Sequence, residues 1–388
     1  MTFEARNAHL SGIRVLDFSA VYAGPICTRL MADCGADVIK VEPPNGGDMI
    51  RGPKGMSRSF SHFNAGKRSV AINLNHDDGA ALARELVKDA DVVVENFRPG
   101  IMKRFGLDYP SLKADHPELV YCSISGFGQT GPYVNRAAYA PIAHAASGYY
   151  KAFLSSQPDP ETPPVSNIMV ADMLTGAYAH GAILTALVGA ARTGRGDHID
   201  VTMMESMMNL LPLQLQNAQI DREIPPGGFH PIRASDGFLM ICIVSQKNLR
   251  CLAEAIGQPG LVDDERFQMN KRVYHMDAFI EAIEAYTGEL TTRECEERLN
   301  EAGVPCSIYN EISDLFSHPQ LMARDTFHTH EDEYGEFVVP GAPFQFASGA
   351  TPPDRPAPRL GSHTMEVLSR LVDDTRLDAL LNEKVIRR

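Results

Sequence analysis

The segment Ile13-Arg14-Val15-Leu16-Asp17-Phe18 is rich in β-formers, and so is Ala36-Asp37-Val38-Ile39-Lys40-Val41. Between them, after Ser19-Ala20-Val21-Tyr22-Ala23-Gly24, residues 25–33 have the composition of a helix, so the order reads strand, helix, strand. The pattern continues outward. Strands are expected at 69–74, 90–95 and 119–125, with an amphipathic helix over 77–89. Parallel strands need a crossover between them, and this alternation supplies one each time, so the chain predicts a parallel sheet covered by helices.

That layout is α/β and Rossmann-like, but the turn after the first strand lacks the GxGxxG dinucleotide fingerprint, which argues against a nicotinamide enzyme. The Pro- and Ser-containing stretch 155–164 reads as an exposed loop leading into Asn167-Ile168-Met169-Val170-Ala171-Asp172 and a long small-residue helix over 173–191. The Met-rich segment 203–215 reads as a core-facing helix. Pro225-Pro226-Gly227-Gly228 then breaks the pattern. A smaller α+β domain is expected beyond it, with a strand at 237–244 and helices at 249–256, 276–287 and 292–301, ending near Phe316. Residues 336–346 and a closing helix over 364–381 return to the first domain.

The chain has 388 residues, 44% of them hydrophobic, which is ample for a large core. Its net charge of -13 argues against nucleic-acid and anionic-membrane partners, since both demand a basic surface. The seven cysteines are scattered, with no CxxC spacing. Neither a disulfide framework nor a zinc site is suggested, and a reducing cytoplasm is the expected setting. Residues 1–10 lack the apolar core of a signal peptide, and no membrane-spanning stretch is expected.

Asp172 stands at the mouth of the long helix, where an aspartate is ordinarily an N-cap. The same place suits a nucleophile, because the positive end of the helix dipole favours an ionised carboxylate. Gly176 and Gly181 inside the helix suggest close backbone approach. Gly24-Pro25 could offer backbone N–H groups to a phosphate, and Lys67-Arg68 and Arg98, Lys103 and Arg104 are basic clusters in an acidic chain. Each cluster taken alone reads first as solvated surface. His144, in a small-residue stretch, reads as a packed or capping residue, and His180 has no third ligand to make a metal site.

In chain order, residues 10–18, Ala23-Gly24-Pro25, residues 35–42, Asn64-Ala65-Gly66-Lys67-Arg68-Ser69, Glu95-Asn96-Phe97-Arg98-Pro99-Gly100, Ala171-Asp172 and Thr193-Gly194-Arg195-Gly196 resemble the class III coenzyme A transferases. That group includes formyl-CoA transferase, carnitine CoA-transferase and α-methylacyl-CoA racemase. The resemblance implies an interlocked-ring homodimer in which each chain has a large Rossmann-like domain from 1–204 plus 336–388 and a small domain from 225–325. Linkers would lie at 205–224 and 326–335. It matches Asp172 to the catalytic aspartate. It places Val21, Tyr22, Asn64, Asn96, Phe97 and Arg104 along the coenzyme A site, with Lys67, Arg68, Arg98, Ala138 and Tyr139 joining them, and gives the basic clusters the phosphates of CoA as ligand.

The implied partners are an acyl-CoA and a small organic acid, with CoA as substrate and no permanently bound cofactor or metal. The implied mechanism passes through an aspartyl anhydride and an aspartyl-CoA thioester, with oxyanion donors near residues 22–24 or a glycine loop at Gly227-Gly228. Racemases of this kind pair the aspartate with a histidine and a further acid, where this chain has Tyr139 and Ser245, so transferase is favoured over racemase unless His144 substitutes. A non-catalytic CoA-binding protein is the third reading. Ala140 and Pro43 stand where formyl-CoA transferases carry an acid and an arginine, which points away from oxalate and formate. Arg51, Arg136 and Arg233 are candidates for the distal carboxylate of a larger dicarboxylate such as a C4–C6 acid.

Overall fold

The computed structural model describes residues 8–53, 55–155, 157, 161–220, 228–332, 335–348 and 355–388. The chain alternates as the pattern requires: β1 (Arg14–Asp17), α1 (Ala23–Asp33), β2 (Asp37–Glu42), α2 (Arg58–Asn64), β3 (Arg68–Ile72), α3 (Asp77–Lys88) and β4 (Val92–Glu95). Two short helices, α4 (Ile101–Arg104) and α5 (Tyr109–Leu112), precede β5 (Val120–Ser125). Then come α6 (Ala140–Ala146), α7 (Tyr149–Leu154), the 24-residue α8 (Val170–Thr193), β6 (His198–Thr202) and α9 (Met203–Met208).

These strands form a seven-stranded sheet with β7 (Ile386–Arg387) at one edge, in the order β7-β3-β2-β1-β4-β5-β6. All neighbours are parallel except the edge strand Ile386–Arg387, which pairs antiparallel with β3, Ile386 opposite Ile72. The parallel strands are near-continuous apolar runs because both faces are covered: Val92, Val93 and Val94 are all fully buried. One face packs Leu82, Leu86 and Val87 of α3 with Leu377 and Leu380 from the chain end. The other packs Ala23, Cys27 and Met31 of α1 with Ala171, Ala179 and Ile183 of α8.

From β1 the crossovers run outward to β2 and β3 in one direction, whereas β4, β5 and β6 run the other way. The loops that leave β1 and β4 therefore diverge and open a crevice at the carboxyl ends of these strands, the usual ligand position in an open α/β sheet.

The structure departs from the sequence reading at several elements. The closing helix is two, Thr364–Leu368 and Asp374–Asn382, because the Asp373 side chain caps the second by accepting the Arg376 N–H at 2.9 Å. β6 went unread because its sequence, HIDVT, hides a strand behind polar residues. Phe327–Asp332, in the stretch 326–335 expected to be a linker, pairs antiparallel with Gly335–Pro340, His328 opposite Val339. The Pro225–Gly227 break lies outside the described residues, as do parts of the 155–164 loop.

By its contacts the chain divides into two units: residues 1–151, 164–212 and 323–388, and residues 152–163 with 213–322. The second holds a three-stranded sheet, Pro231–Arg233, Phe238–Ile241 and Cys306–Ile308, packed through Leu239, Leu249, Leu252, Phe279, Ile283 and Leu299 against helices at Gln246–Ala255, Met276–Thr287 and Thr292–Glu301. By length and composition α8 is apolar enough to cross a membrane. In the structure its Asp172, Gly176 and Ile183 positions are buried, while Tyr178 and Val188 are exposed.

Candidate active site

Asp172 is the third residue of α8, whose N-cap is Met169, so it does not cap its own helix. Its side chain is turned inward, 6% exposed, and receives the backbone N–H of Ala23, the first residue of α1. Two helix N-termini thus meet at one carboxylate, and Gly176 explains how they come so close. A Cβ there would lie 2.2 Å from Ile26 Cγ2 and 2.6 Å from the Ala23 carbonyl oxygen. A Cβ at Gly181, read the same way from sequence, would meet nothing within 4 Å among the described residues. Burial outweighs the Ala23 amide and raises the acid to about 6, so the dipole does not hold the pKa low as the helix position alone suggests. At neutral pH the group is still ionised, and it is more basic than an ordinary aspartate.

The crevice loop between β1 and α1 is held at every residue. Ser19 N–H donates to Asp17 at 2.9 Å, and the Ser19 carbonyl accepts from Lys40 Nζ at 2.7 Å. Ala20 is clasped on both sides by the Asn96 side chain, its N–H at 2.9 Å and its carbonyl at 2.7 Å. Val21 N–H reaches both Asp48 carboxylate oxygens at 3.2 Å, with Val21 itself at φ 69°. Tyr22 follows as the N-cap of α1 and packs its ring 4.7 Å from that of Phe63. On the β4 side, Glu95 accepts the Phe97 N–H at 2.8 Å, and burial pushes its carboxyl up to about 7.

The structure brings together some of the expected CoA residues and removes others. Val21, Tyr22, Asn96 and Phe97 share the crevice mouth and are partly exposed, while Arg98, Lys103 and Arg104 are exposed beyond it. Among the described residues none of these three cations has an acidic partner. Ala138, partly exposed, and Tyr139, 60% exposed, lead into α6, Ala138 lying against Gly126.

Lys67 is a correction. Its ammonium is fully buried against Asp17 at 2.9 Å, Asn64 Oδ1 at 2.9 Å and the Pro25 carbonyl at 3.0 Å, and burial lowers it to about 8. Asn64 is enclosed with it and donates to the Phe60 carbonyl. Arg68 is engaged by Asp37, the first residue of β2, at 2.6 Å, and by Glu366 at 3.1 Å. None of the three is free for a phosphate. Arg51 is likewise unavailable to a substrate carboxylate, being buried in a two-pronged pair with Glu42 at 2.7 and 2.6 Å. Arg136 and Arg233 are exposed and lie over the rings of Tyr133 and Phe238.

His144 caps α8. Its Nε2 accepts the Ala171 N–H at 3.0 Å and its Nδ1 meets the Tyr150 hydroxyl at 3.1 Å, an arrangement that fixes the neutral ring; burial also lowers its pKa. His180 is buried, with no hydrogen bond to Nδ1 among the described residues. Ser245 caps the Gln246–Ala255 helix by accepting the Asn248 N–H. Of the glycine loop, Gly227 lies outside the described residues. The sequence reading missed Lys40 and Asp48, paired at 3.0 Å and buried. The apolar run Val38-Ile39-Lys40-Val41 hints that Lys40 is enclosed, but nothing in it says which residue is the counter-charge.

A model of CoA-transferase family III matches residues 10–364. A succinate–glutarate CoA-transferase from Agrobacterium fabrum is 38% identical to this chain, covering 94% of it and 96% of the relative. The beta subunit of a succinyl-CoA–L-malate CoA-transferase from Chloroflexus aurantiacus is 32% identical, covering 97% and 98%. Among solved structures, a CaiB/BaiF family protein from Brucella suis superposes with a TM-score of 0.80 at 33% identity, covering 95% of this chain and all of that one.

Proposed function

The chain belongs to CoA-transferase family III, and from that membership and the Asp172 site we propose that it carries CoA from succinyl-CoA to a second dicarboxylate of four to six carbons. Transfer of CoA between an acyl-CoA and a carboxylic acid is the activity of its relatives. The dicarboxylate is our reading, supported by the glutarate and L-malate in the names of two of them.

The observation that carries the mechanism is the buried Asp172 carboxylate where the starts of α1 and α8 meet, 6% exposed, with burial pushing its pKa up to about 6. Asp172 Oδ attacks the thioester carbonyl, the C–S bond breaks, and the CoA thiolate leaves an acyl-aspartyl anhydride. The thiolate then attacks the aspartyl carbonyl of that anhydride, releasing the donor as its carboxylate and leaving an aspartyl-CoA thioester. The acceptor carboxylate repeats both steps in reverse, ending with its own CoA thioester and free Asp172. No proton, oxidant or metal enters the balance. Each tetrahedral intermediate needs donors at its oxyanion, and the amides at the start of α1 stand beside Asp172.

We assign Val21, Tyr22, Phe97, Ala138 and Tyr139 to the walls of the CoA site and Arg98, Lys103 and Arg104 to its phosphates, and we place the protein in the cytoplasm as a homodimer. The transferase is favoured over the racemase because both ring nitrogens of His144 are engaged within the fold and Tyr139 and Ser245 stand where the racemases carry a histidine and a further acid. The deciding experiment is incubation with a panel of acyl-CoAs, trapping with hydroxylamine, and peptide mapping. A modified Asp172 with succinyl-CoA, and no modification or turnover in Asp172→Ala, is the expected result. Full turnover in Asp172→Ala would sink the mechanism.

A further inference from the structure

We propose that Asp48 is a positioning residue for the transfer: its carboxylate holds Val21 in the left-handed conformation and thereby aims the amides at the start of α1 toward Asp172. The inference rests on Asp172 being the nucleophile.

A β-branched residue at φ 69° is a genuine outlier, and such a conformation persists only where its surroundings over-determine it. They do so here. Asn96 fixes both polar groups of Ala20, Lys40 fixes the Ser19 carbonyl, and both Asp48 oxygens take the Val21 N–H at 3.2 Å. Asp48 is itself anchored. Lys40 Nζ lies 3.0 Å from it, and its own N–H donates to Glu42 at 3.0 Å, the same Glu42 that Arg51 grips. Asp17, Glu42 and Asp48 balance Lys40, Arg51 and Lys67, so this buried assembly is neutral and every charge in it is paired.

Successive amides around a left-handed residue can converge on one anion. Ala23 N–H already meets Asp172, and the N–H groups of Tyr22 and Gly24 have no hydrogen-bond partner among the described residues, which leaves them for a developing oxyanion. Gly24 is obligatory in this geometry, as a Cβ would sit 2.2 Å from Ser19 Cβ. The plain alternative is that Asp48 only caps the turn Met49–Arg51, through the Ile50 N–H at 3.2 Å. In that case freeing the Val21 backbone with glycine would not relieve the loss of Asp48.

Rapid-quench mass spectrometry of Asp172 acylation separates the two, using the acyl-CoA that labels the parent enzyme fastest. Asp48→Ala is expected to slow labelling by about 30-fold or more. Adding Val21→Gly to that variant is expected to recover it by roughly fivefold, because glycine takes positive φ without strain; Val21→Gly alone completes the cycle. If Asp48→Ala does not fold, Asp48→Asn keeps an acceptor oxygen but loses the charge, and about a threefold loss, again relieved by Val21→Gly, is expected. Unchanged labelling, or no relief by glycine, overturns the positioning role alone. Absence of label on Asp172 in the parent enzyme overturns the nucleophile assignment, and this inference with it.

Discussion

Burial holds the Asp172 acid near 6, against 3.8 for an unperturbed aspartate, with only the Ala23 amide opposing. Below pH 3.8 the group is protonated in both the folded and unfolded chain and adds nothing to the pH dependence. As pH rises toward 6 the unfolded chain releases its proton first, so stability falls, and above 6 the whole penalty applies, about 2–3 kcal/mol. The carboxylate proposed as the nucleophile therefore weakens the fold. Asp172→Asn is expected to be inactive yet more stable than the parent at pH 8, with the gain shrinking to nothing toward pH 4. Denaturant melts across that range test it, and a variant less stable at pH 8 would contradict the burial argument.

The pairing of α1 with α8 sets the distance between the Ala23 amide and Asp172, and Gly176 is the contact that allows it. Gly176→Ala forces the added carbon into Ile26 and the Ala23 carbonyl, so one helix must move. A loss of about 1–3 kcal/mol is expected, together with slower labelling of Asp172, because the moved amide no longer meets the carboxylate. An unchanged melt and rate would show that the helices part freely. From sequence, Gly176 and Gly181 look alike; only the packing shows that one faces a neighbouring helix and the other, among the described residues, faces nothing.

At the scale of the molecule, α8 carries more apolar surface than its own chain covers. Met173, Tyr178 and Val188 are 38%, 45% and 61% exposed, on a helix whose other side is core. Such a face suits a second copy, in line with the proposed homodimer. Sedimentation at micromolar concentration is expected to show dimers whose tagged subunits exchange no faster than the protein unfolds, as threaded rings require. Val188→Arg, which places a charge on this face, is expected to impair dimer formation. An active monomer would refute the assembly.

The alternation of strand and helix was legible in the sequence because hydrophobic periodicity is local: each run from β1 to β5 announces itself within a few residues. So was Asp172, whose place at a helix start is a local fact, and His144 as a capping residue. The loss of Lys67, Arg68, Asn64 and Arg51 from the list of ligand contacts was not legible. A basic residue reads the same on the surface as in the core until its counter-charge is known, and Asp17 lies 50 positions from Lys67. Asp48 is invisible for the same reason, since its work on Val21 exists only once the chain from 21 to 48 has closed. Sequence determined the layers and singled out Asp172 as the proposed nucleophile; the tertiary structure alone decided which charges stay exposed and which hold the loop, because burial and pairing are properties of the closed fold.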